Sequence, residues 1–477
     1  MARSGQAVTV AGQQTSRGTS MSEIGAAKAE AAAVDARAAS PGYRYYVLGI
    51  LILIYMLNFL DRQIIGILAA PLKAEFNLSD TQFGLLGGLA FALLYSTLAI
   101  PIAWLADRFS RVWIMTGALT IWSGFTALCG VAGGFGSLFL CRMGVGIGEA
   151  GGVAPAYSLI SDYFPKSQRA RALAAYAFGI PLGMAAGTLV GGLLAATYGW
   201  RTAFIVVGIL GVLVAPVLRL TVKDPKRGGL DVEPSAPTAA PVEAPKAPPF
   251  MQVVRTLAPK PSFWLLSFGA AASSVCGYGV AAWLPSFFMR SFGLSLSQTA
   301  WYYSAIVLVG GVAGIWLGGS MADRLGKKSK SAYPLTPAIA FLISVPCFIL
   351  AMNSGAVVGA VMPGSDPNGF ASLALAFAIF LIPTGLNLVW LGPITAAVQH
   401  LGGPSMRTTA SALFLLINNL LGIAVGIYYF GWMSDLLRPT FGEESLRWAI
   451  YTGMGFYLLS SALFICASRT LKNDWVD

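Results

Sequence analysis

Residues 318–328 read Gly-Gly-Ser-Met-Ala-Asp-Arg-Leu-Gly-Lys-Lys and close an apolar run that begins near residue 299. Ala-Asp-Arg also stands at 106–108, closing a run that begins near residue 83, again with a basic residue, Arg111, shortly after. Outward from these two junctions, apolar runs of spanning length follow one another along the chain. They predict helices over approximately 45–68, 83–105, 112–134, 138–161, 169–196 and 202–220, then 263–289, 299–322, 333–352, 371–398, 408–432 and 447–467. The two junctions follow the second and the eighth of these helices, so the second half echoes the first. The expected fold class is an all-α membrane protein, with twelve transmembrane helices in two pseudo-symmetric six-helix bundles.

Composition agrees. Hydrophobic residues make up 56% of the 477 and charged residues 11%, whereas a soluble domain carries about a quarter charged residues. The 55 glycines and 26 prolines suit membrane helices, where neighbouring helices re-satisfy freed backbone groups. The net charge of +11 lies in short loops between apolar runs rather than on one soluble face, which argues against nucleic acid. One set of alternate loops holds Arg108, Arg111, Lys166, Arg169, Arg171, Lys223, Lys226, Arg227, Arg324, Lys327, Lys328, Lys330 and Arg407. The other holds only Lys73, Arg201, Arg290, Arg438 and Arg447. This bias places both termini in the cytoplasm; the plasma (inner) membrane is the expected location.

Residues 1–42 are rich in Ala, Ser, Gly and Gln and are expected to be a disordered cytoplasmic tail, with Met1 and Met21 both candidate starts. Bundles are expected over 43–222 and 260–477. The Pro/Ala-rich stretch 223–259 joins them as a cytoplasmic linker. All five cysteines (Cys129, Cys141, Cys276, Cys347 and Cys466) lie in apolar runs with no CxxC pair, so neither a zinc site nor a disulfide framework is expected.

With Ala-Asp-Arg at two matching places, the chain resembles the major facilitator superfamily, whose loop signature is Gly-x-Leu-Ala-Asp-Arg-x-Gly-Arg-Lys. The copy from Gly319 fits apart from Met321 at the Leu position. The earlier copy keeps Leu105, Asp107, Arg108 and Arg111, and departs at Ala103, Ser110 and Val112. The resemblance implies that Asp107 and Asp323 help latch the cytoplasmic side, with Arg108, Arg111, Asp162, Arg169 and Arg324 completing that gate. A narrower resemblance is to the spinster-like branch. It rests on Asn-Phe-Leu-Asp-Arg at 58–62, Asp-Thr-Gln-Phe-Gly-Leu-Leu-Gly at 80–87, Cys-Arg-Met-Gly-Val-Gly-Ile-Gly-Glu-Ala at 141–150 and Ser-Asp-Tyr-Phe-Pro at 161–165. This implies a lysolipid, a sphingoid-type lipid or a related hydrophobic organic anion as substrate.

An ionisable residue deep in a span is a functional-site hypothesis by default. At ~1.5 Å per residue, Asp61 lies ~24 Å above the inner end of its helix and Arg142 ~6 Å below the outer end of its own. In a ~30 Å core the two meet at nearly one level, so a pair is expected. Glu149 follows Arg142 by nearly two turns on roughly the same face. It is expected to face the central cavity as a proton-sensitive carboxylate, because burial and a nearby cation push a carboxyl in opposite directions. Proton coupling is assigned to Glu149, Asp61 and Arg142, with a fixed structural charge network as the alternative. Arg62 has two readings, as partner of Glu149 or as a contact for an anionic headgroup. In the second half, Tyr278, Trp283, Asn387, Trp390, Asn418 and Asn419 are candidate cavity residues, with interhelical bonding as the plainer role of each.

Glycines recur every fourth residue at Gly179, Gly183, Gly187 and Gly191, and again at Gly310, Gly314 and Gly318. Such stripes permit close helix approach, and the family resemblance implies that the fifth and eighth helices meet across the halves. The pairs Gly84/Gly88 and Gly422/Gly426 are the same device or simple packing. Gly146-Ile-Gly148-Glu-Ala-Gly151 fits GxGxxG but lies within a spanning helix, which excludes the dinucleotide reading, and the one histidine, His400, excludes HExxH. Neither a Walker loop nor a catalytic constellation is present, so no enzyme, cofactor or metal is expected. A secondary transporter of an amphipathic solute, coupled to protons and acting as a monomer in the bilayer, is expected. A multidrug exporter, a carboxylate or sugar-acid symporter, and a transport-inactive lipid receptor or scaffold are the alternatives.

Overall fold

The computed structural model describes residues 40–225, 227, 250–326, 329–403 and 406–476. Nearly all of the expected tail, including Met1 and Met21, most of the linker, and the side chains of Asp323 and Arg324 lie outside the described residues.

The spanning helices are α1 (Pro41–Ile67), α2 (Asp80–Ala106), α3 (Arg111–Cys129), α4 (Phe135–Glu149 continued by Val153–Tyr163), α5 (Ser167–Tyr198) and α6 (Trp200–Thr221). After the linker come α7 (Pro261–Ser291), α8 (Leu296–Gly326), α9 (Ala332–Met352), α10 (Phe370–Gln399), α11 (Arg407–Phe441) and α12 (Ser445–Asp474). Among the described residues, ten stretches are long and apolar enough to cross a membrane. One of them, Thr409–Asp474, contains both α11 and α12, and α4 is of spanning length but interrupted. The result is the expected all-α fold of two six-helix bundles.

Helix breaks follow local chemistry. In α4 the chain tightens directly after Glu149, where Ala150, Gly151 and Gly152 intervene between two helical pieces. A π turn at Leu85–Leu89 interrupts α2, and such turns often mark functional positions. Asn387–Trp390 separates Phe370–Leu386 from Leu391–Gln399 in α10, just after Pro383 and Gly385. Three helix ends differ from expectation by five residues or more: α3 ends at Cys129 rather than 134, α12 runs on to Asp474 rather than 467, and α11 runs on to Phe441 rather than ending near 432. The polar pair Ser434 and Asp435 reads as a helix end in sequence, but both side chains find partners on α2 and so stay within the helix.

The glycine stripes correct a second expectation. Gly179, Gly183, Gly187 and Gly191 lie against Tyr55, Met56, Leu60 and Ile64 of α1, inside the first half. Gly310, Gly314 and Gly318 lie against Leu381, Gly385 and Val389 of α10, inside the second. Both stripes therefore build a half rather than join the two. The α5–α8 contact does exist, one residue along, where Gly192 meets Ala300 and Gly311 meets Pro181. Gly84 and Gly88 meet Ile427 and Ala424 of α11 and do join the halves, whereas Gly422 and Gly426 pack on Ser274 and Val275 of α7.

Tyr43 at the start of α1 donates to the carbonyl of Thr221 at the end of α6 (2.9 Å), and Lys260 before α7 reaches the carbonyl of Asp474 (2.7 Å). These contacts lie on what is termed here the terminal face. The opposite, distal face carries Lys73, Asp80 and Arg290.

Candidate functional site

Two ion pairs of the first half lie well within its spans, away from the helix ends. Arg142 Nη1 stands 3.4 Å from Asp61 Oδ2, with both side chains buried, which is the juxtaposition that helix rise predicts. Thr126 of α3 donates to Asp61 Oδ1 at 2.6 Å. Asp61 therefore fastens α1 to α3 and α4 together, and a cavity of about 10 Å³ between Asp61, Ser123, Thr126 and Gly211 is room for one water.

The next residue, Arg62, points elsewhere. Its Nε donates to Glu149 Oε2 at 2.7 Å. Of its two readings, the structure adopts the pairing. The guanidinium lies over the rings of Phe59, Phe91 and Tyr95 at 5.0, 5.0 and 4.5 Å, a cage that favours a cation. Tyr278 of α7 is its electrostatic neighbour from the second half.

Exposure separates the two partners. Glu149 is fully buried, whereas 12% of the Arg62 side chain is accessible. The expectation that Glu149 itself faces the cavity is thereby corrected: the accessible member of the pair is Arg62. Among the described residues, Glu149 Oε1, Arg62 Nη2 and Arg142 Nε have no hydrogen-bond partner, and neither amide atom of buried Asn58 has one. Asn58 lies one turn before Arg62 on the same helix face; the 58–62 motif contained it, but no charge drew attention to it.

The glycines of the GxGxxG decoy place Glu149. Gly146 lies on the carbonyl of Phe91, Gly148 on Trp122 and Gly151 on Ala118, so α4 is drawn against α2 and α3.

In the second half most candidate cavity residues are bonded within their own bundle. Trp283 is buried and donates to the carbonyl of Ile427 at 2.9 Å, its ring edge-on to Phe83. Asn418 accepts from Ser274 (2.8 Å) and donates to Asn419 (3.1 Å). Asn387 accepts from Tyr457 at 2.9 Å, and Trp390 is buried against Phe414. Tyr278, Asn387 and Asn419 are the partly accessible members.

On the terminal face, Arg111 is buried and pairs with Asp162 and with Asp224 (2.7 Å), and it also donates to Ser158 (2.8 Å). This is a clasp within the first half, not a contact to the second. Asp107 is exposed, Arg108 lies 3.7 Å over Trp104, and Arg169 donates to the carbonyl of Phe164 at 3.0 Å.

A distal-face cluster, unanticipated from sequence, gathers Lys73, Asp80, Arg290, Ser434 and Asp435. Only the charges themselves signal it, and charges are ordinary at helix ends.

The sequence pattern of the Major Facilitator Superfamily matches residues 51–427. The chain is 32% identical over 439 residues to an MFS-type efflux pump of Mycolicibacterium smegmatis, covering 92% of this chain and 95% of that protein. It is 30% identical over 457 residues to human protein spinster homolog 1, covering 90% and 83% respectively. Among solved structures it is similar to a bacterial homolog of the human lysosomal transporter Spinster, crystallised in an inward-facing and unoccupied conformation. That likeness has a TM-score of 0.77 and 32% identity, covering 92% of this chain and 99% of the other. A D-xylose-proton symporter shares the fold at a TM-score of 0.63 and 16% identity.

Proposed function

Because the chain belongs to the major facilitator superfamily and to its spinster-like branch, we propose that it carries an amphipathic, lipid-like or organic anionic solute by proton-coupled alternating access. It is a multi-pass integral membrane protein, and in this reading it works as a monomer in the plasma (inner) membrane with both termini cytoplasmic. Two bundles, 43–222 and 260–477, rock about the linker 223–259. Asp107 and Asp323, on matching turns, are proposed to help close the terminal face.

The observation that carries this reading is the Arg62–Glu149 pair at 2.7 Å, with the acid buried and the base reaching accessible space. An ionised Glu149 holds Arg62 inside the first half. A protonated Glu149 no longer offsets the guanidinium charge, and Arg62 is then free to take an anionic headgroup. Glu149 and the anion compete for one cation, and the proton and Arg62 for one carboxylate, so proton uptake favours anion binding, which is a coupling device. Asp61 and Arg142 hold α1, α3 and α4 in register around it. Tyr278, beside Arg62, with Asn387 and Asn419 as the other partly accessible candidates of the second half, would orient the solute. A second reading, a multidrug exporter, is favoured by the likeness to the mycobacterial efflux pump.

The test is flux of a labelled lysolipid in proteoliposomes under an imposed pH gradient, wild type beside Glu149→Gln. Gradient-driven flux that the variant loses, with binding retained, supports the reading. Equal gradient response in both proteins removes Glu149 from coupling. Flux of an apolar dye but not of lysolipid moves the substrate to the second reading.

A further inference from the structure

The hydrogen bonds that join the two halves gather on the distal face. Arg290 at the end of α7 donates to both oxygens of Asp80 at the start of α2, at 2.8 and 2.7 Å. Ser434 of α11 adds a third bond to Asp80 Oδ2 at 2.7 Å. Lys73, from the short helix Ala69–Phe76 beside α2, completes the set on Asp80. Asp435, one residue beyond Ser434, accepts from the backbone N–H of Asp80 (3.1 Å) and of Thr81 (2.7 Å), and from the Thr81 hydroxyl (2.6 Å). A carboxylate of the second half thus caps the first turn of a first-half helix, where the positive end of the dipole lies.

Ownership of the charges is the informative feature. Lys73 and Asp80 belong to the first half, and Arg290 and Asp435 to the second. Asp435 is also an electrostatic neighbour of Arg290. Each half therefore holds one cation and one carboxylate. When the halves touch, Arg290 is satisfied by Asp80; when they part, each carboxylate keeps a cation of its own bundle. Buried pairs broken by separation normally strand a charge, and this arrangement avoids it.

We propose that Asp80 holds the distal face shut and that the four charges form an exchange latch, in which Arg290 passes from Asp80 to Asp435 as the face opens. The latch rests on the alternating-access reading but is tested through conformation rather than flux. It assigns unequal roles to the two cations on Asp80. Arg290 stabilises the shut state, while Lys73 serves the open one.

Spin labels at Ala74 and Thr440, both exposed on the distal face and in different halves, read the separation directly by pulsed EPR in lipid nanodiscs. In Asp80→Asn and in Arg290→Gln the ratio of long to short distances rises about tenfold or more, because each removes the ion pair that joins the halves across a largely buried site. The double variant opens no further than either single one. Lys73→Gln leaves the distribution unchanged or shifts it toward the short distance. Unchanged distributions in Asp80→Asn and Arg290→Gln overturn the latch, and so does a Lys73→Gln protein that opens as much as Asp80→Asn. Thermal melting of each labelled variant guards against misfolding, and if Asp80→Asn does not fold, the contrast between Arg290→Gln, which opens, and Lys73→Gln, which does not, still decides. Lysolipid flux is measured separately on the same proteins. Distances that respond without any flux leave the latch standing and overturn the transport reading.

Discussion

Gln63 of α1 donates its side-chain amide to the carbonyl of Ala281 in α7 at 3.0 Å, and that oxygen is free to accept because Pro285 has no N–H to offer it. Tyr303 of α8 donates to the same carbonyl at 3.2 Å. A proline in a helix interior removes the bond to the residue four before it, and here the vacancy becomes a junction between the halves. Replacing Gln63 by Leu removes the inter-half bond while keeping its bulk. A net hydrogen bond is worth about 1 kcal/mol, so the open fraction at the distal face should rise about fivefold, as read by the same label pair. Pro285→Ala restores the competing helical donor and should act in the same direction. A shift toward the shut state in either variant would contradict this role for Ala281.

Arg62 and Glu149 should behave as a unit. Arg62→Gln alone leaves a buried carboxylate without its cation, a loss of about 3–5 kcal/mol where the acid stays ionised. Glu149→Gln alone should be milder, because the amide can still accept from Arg62. The double variant should recover part of the stability lost in Arg62→Gln. Denaturation in detergent micelles across the four proteins gives the coupling energy, and additive losses would show that the two residues do not depend on one another.

The glycine stripes give a contrast of location. Gly314 lies against the backbone of Gly385 within the second half, so Gly314→Ala should lower thermal stability by about 1–3 kcal/mol. Gly311 meets the Pro181 ring across the halves, where the two bundles can move apart to make room for a methyl. Gly311→Ala should leave the melting temperature nearly unchanged and alter the balance between open and shut distances. The reverse pattern would reassign the stripes to the moving interface.

The distal latch carries a pH signature. In the shut state, burial and the like charge of Arg290 lower the proton affinity of Lys73 below its ordinary 10.5, while Asp80 and Asp435 pull the other way. Opening returns Lys73 to water and removes Arg290. The shut state thus holds its proton less tightly than the open state, so raising pH through the lowered value favours the shut state. The label distances should shorten across the alkaline range in wild type, and Lys73→Gln should abolish that dependence. Distances that lengthen with pH would reverse the assignment.

How far the sequence was legible depended on what each feature demands physically. A bilayer requires about twenty apolar residues per crossing, so the helices could be counted, and Ala-Asp-Arg at 106 and 322 exposed the repeat. The Asp61–Arg142 pair could be read because a helix rises by a constant amount per residue. Arg62 could not be assigned, since its long side chain reaches a partner 87 residues away by a path that no periodicity encodes. A glycine stripe announces that some helix comes close but not which one; both stripes proved to face helices of their own half. The Asp80 cluster was least legible. Its partners lie 210 and 355 residues along the chain, and charged residues near a membrane interface are too common to stand out.

The ownership of the four distal charges also bears on the membrane voltage. If each half carries away a cation with its own carboxylate, opening the distal face moves almost no net charge through the field. A unit charge crossing the whole field exchanges about 2.3 kcal/mol per 100 mV, and this step would exchange almost none of it. The electrical work of the cycle then falls on whatever moves at Arg62 and Glu149. The gate would respond to occupancy of that central pair while remaining nearly blind to potential, and any electrogenic current would report the proton and the solute rather than the door.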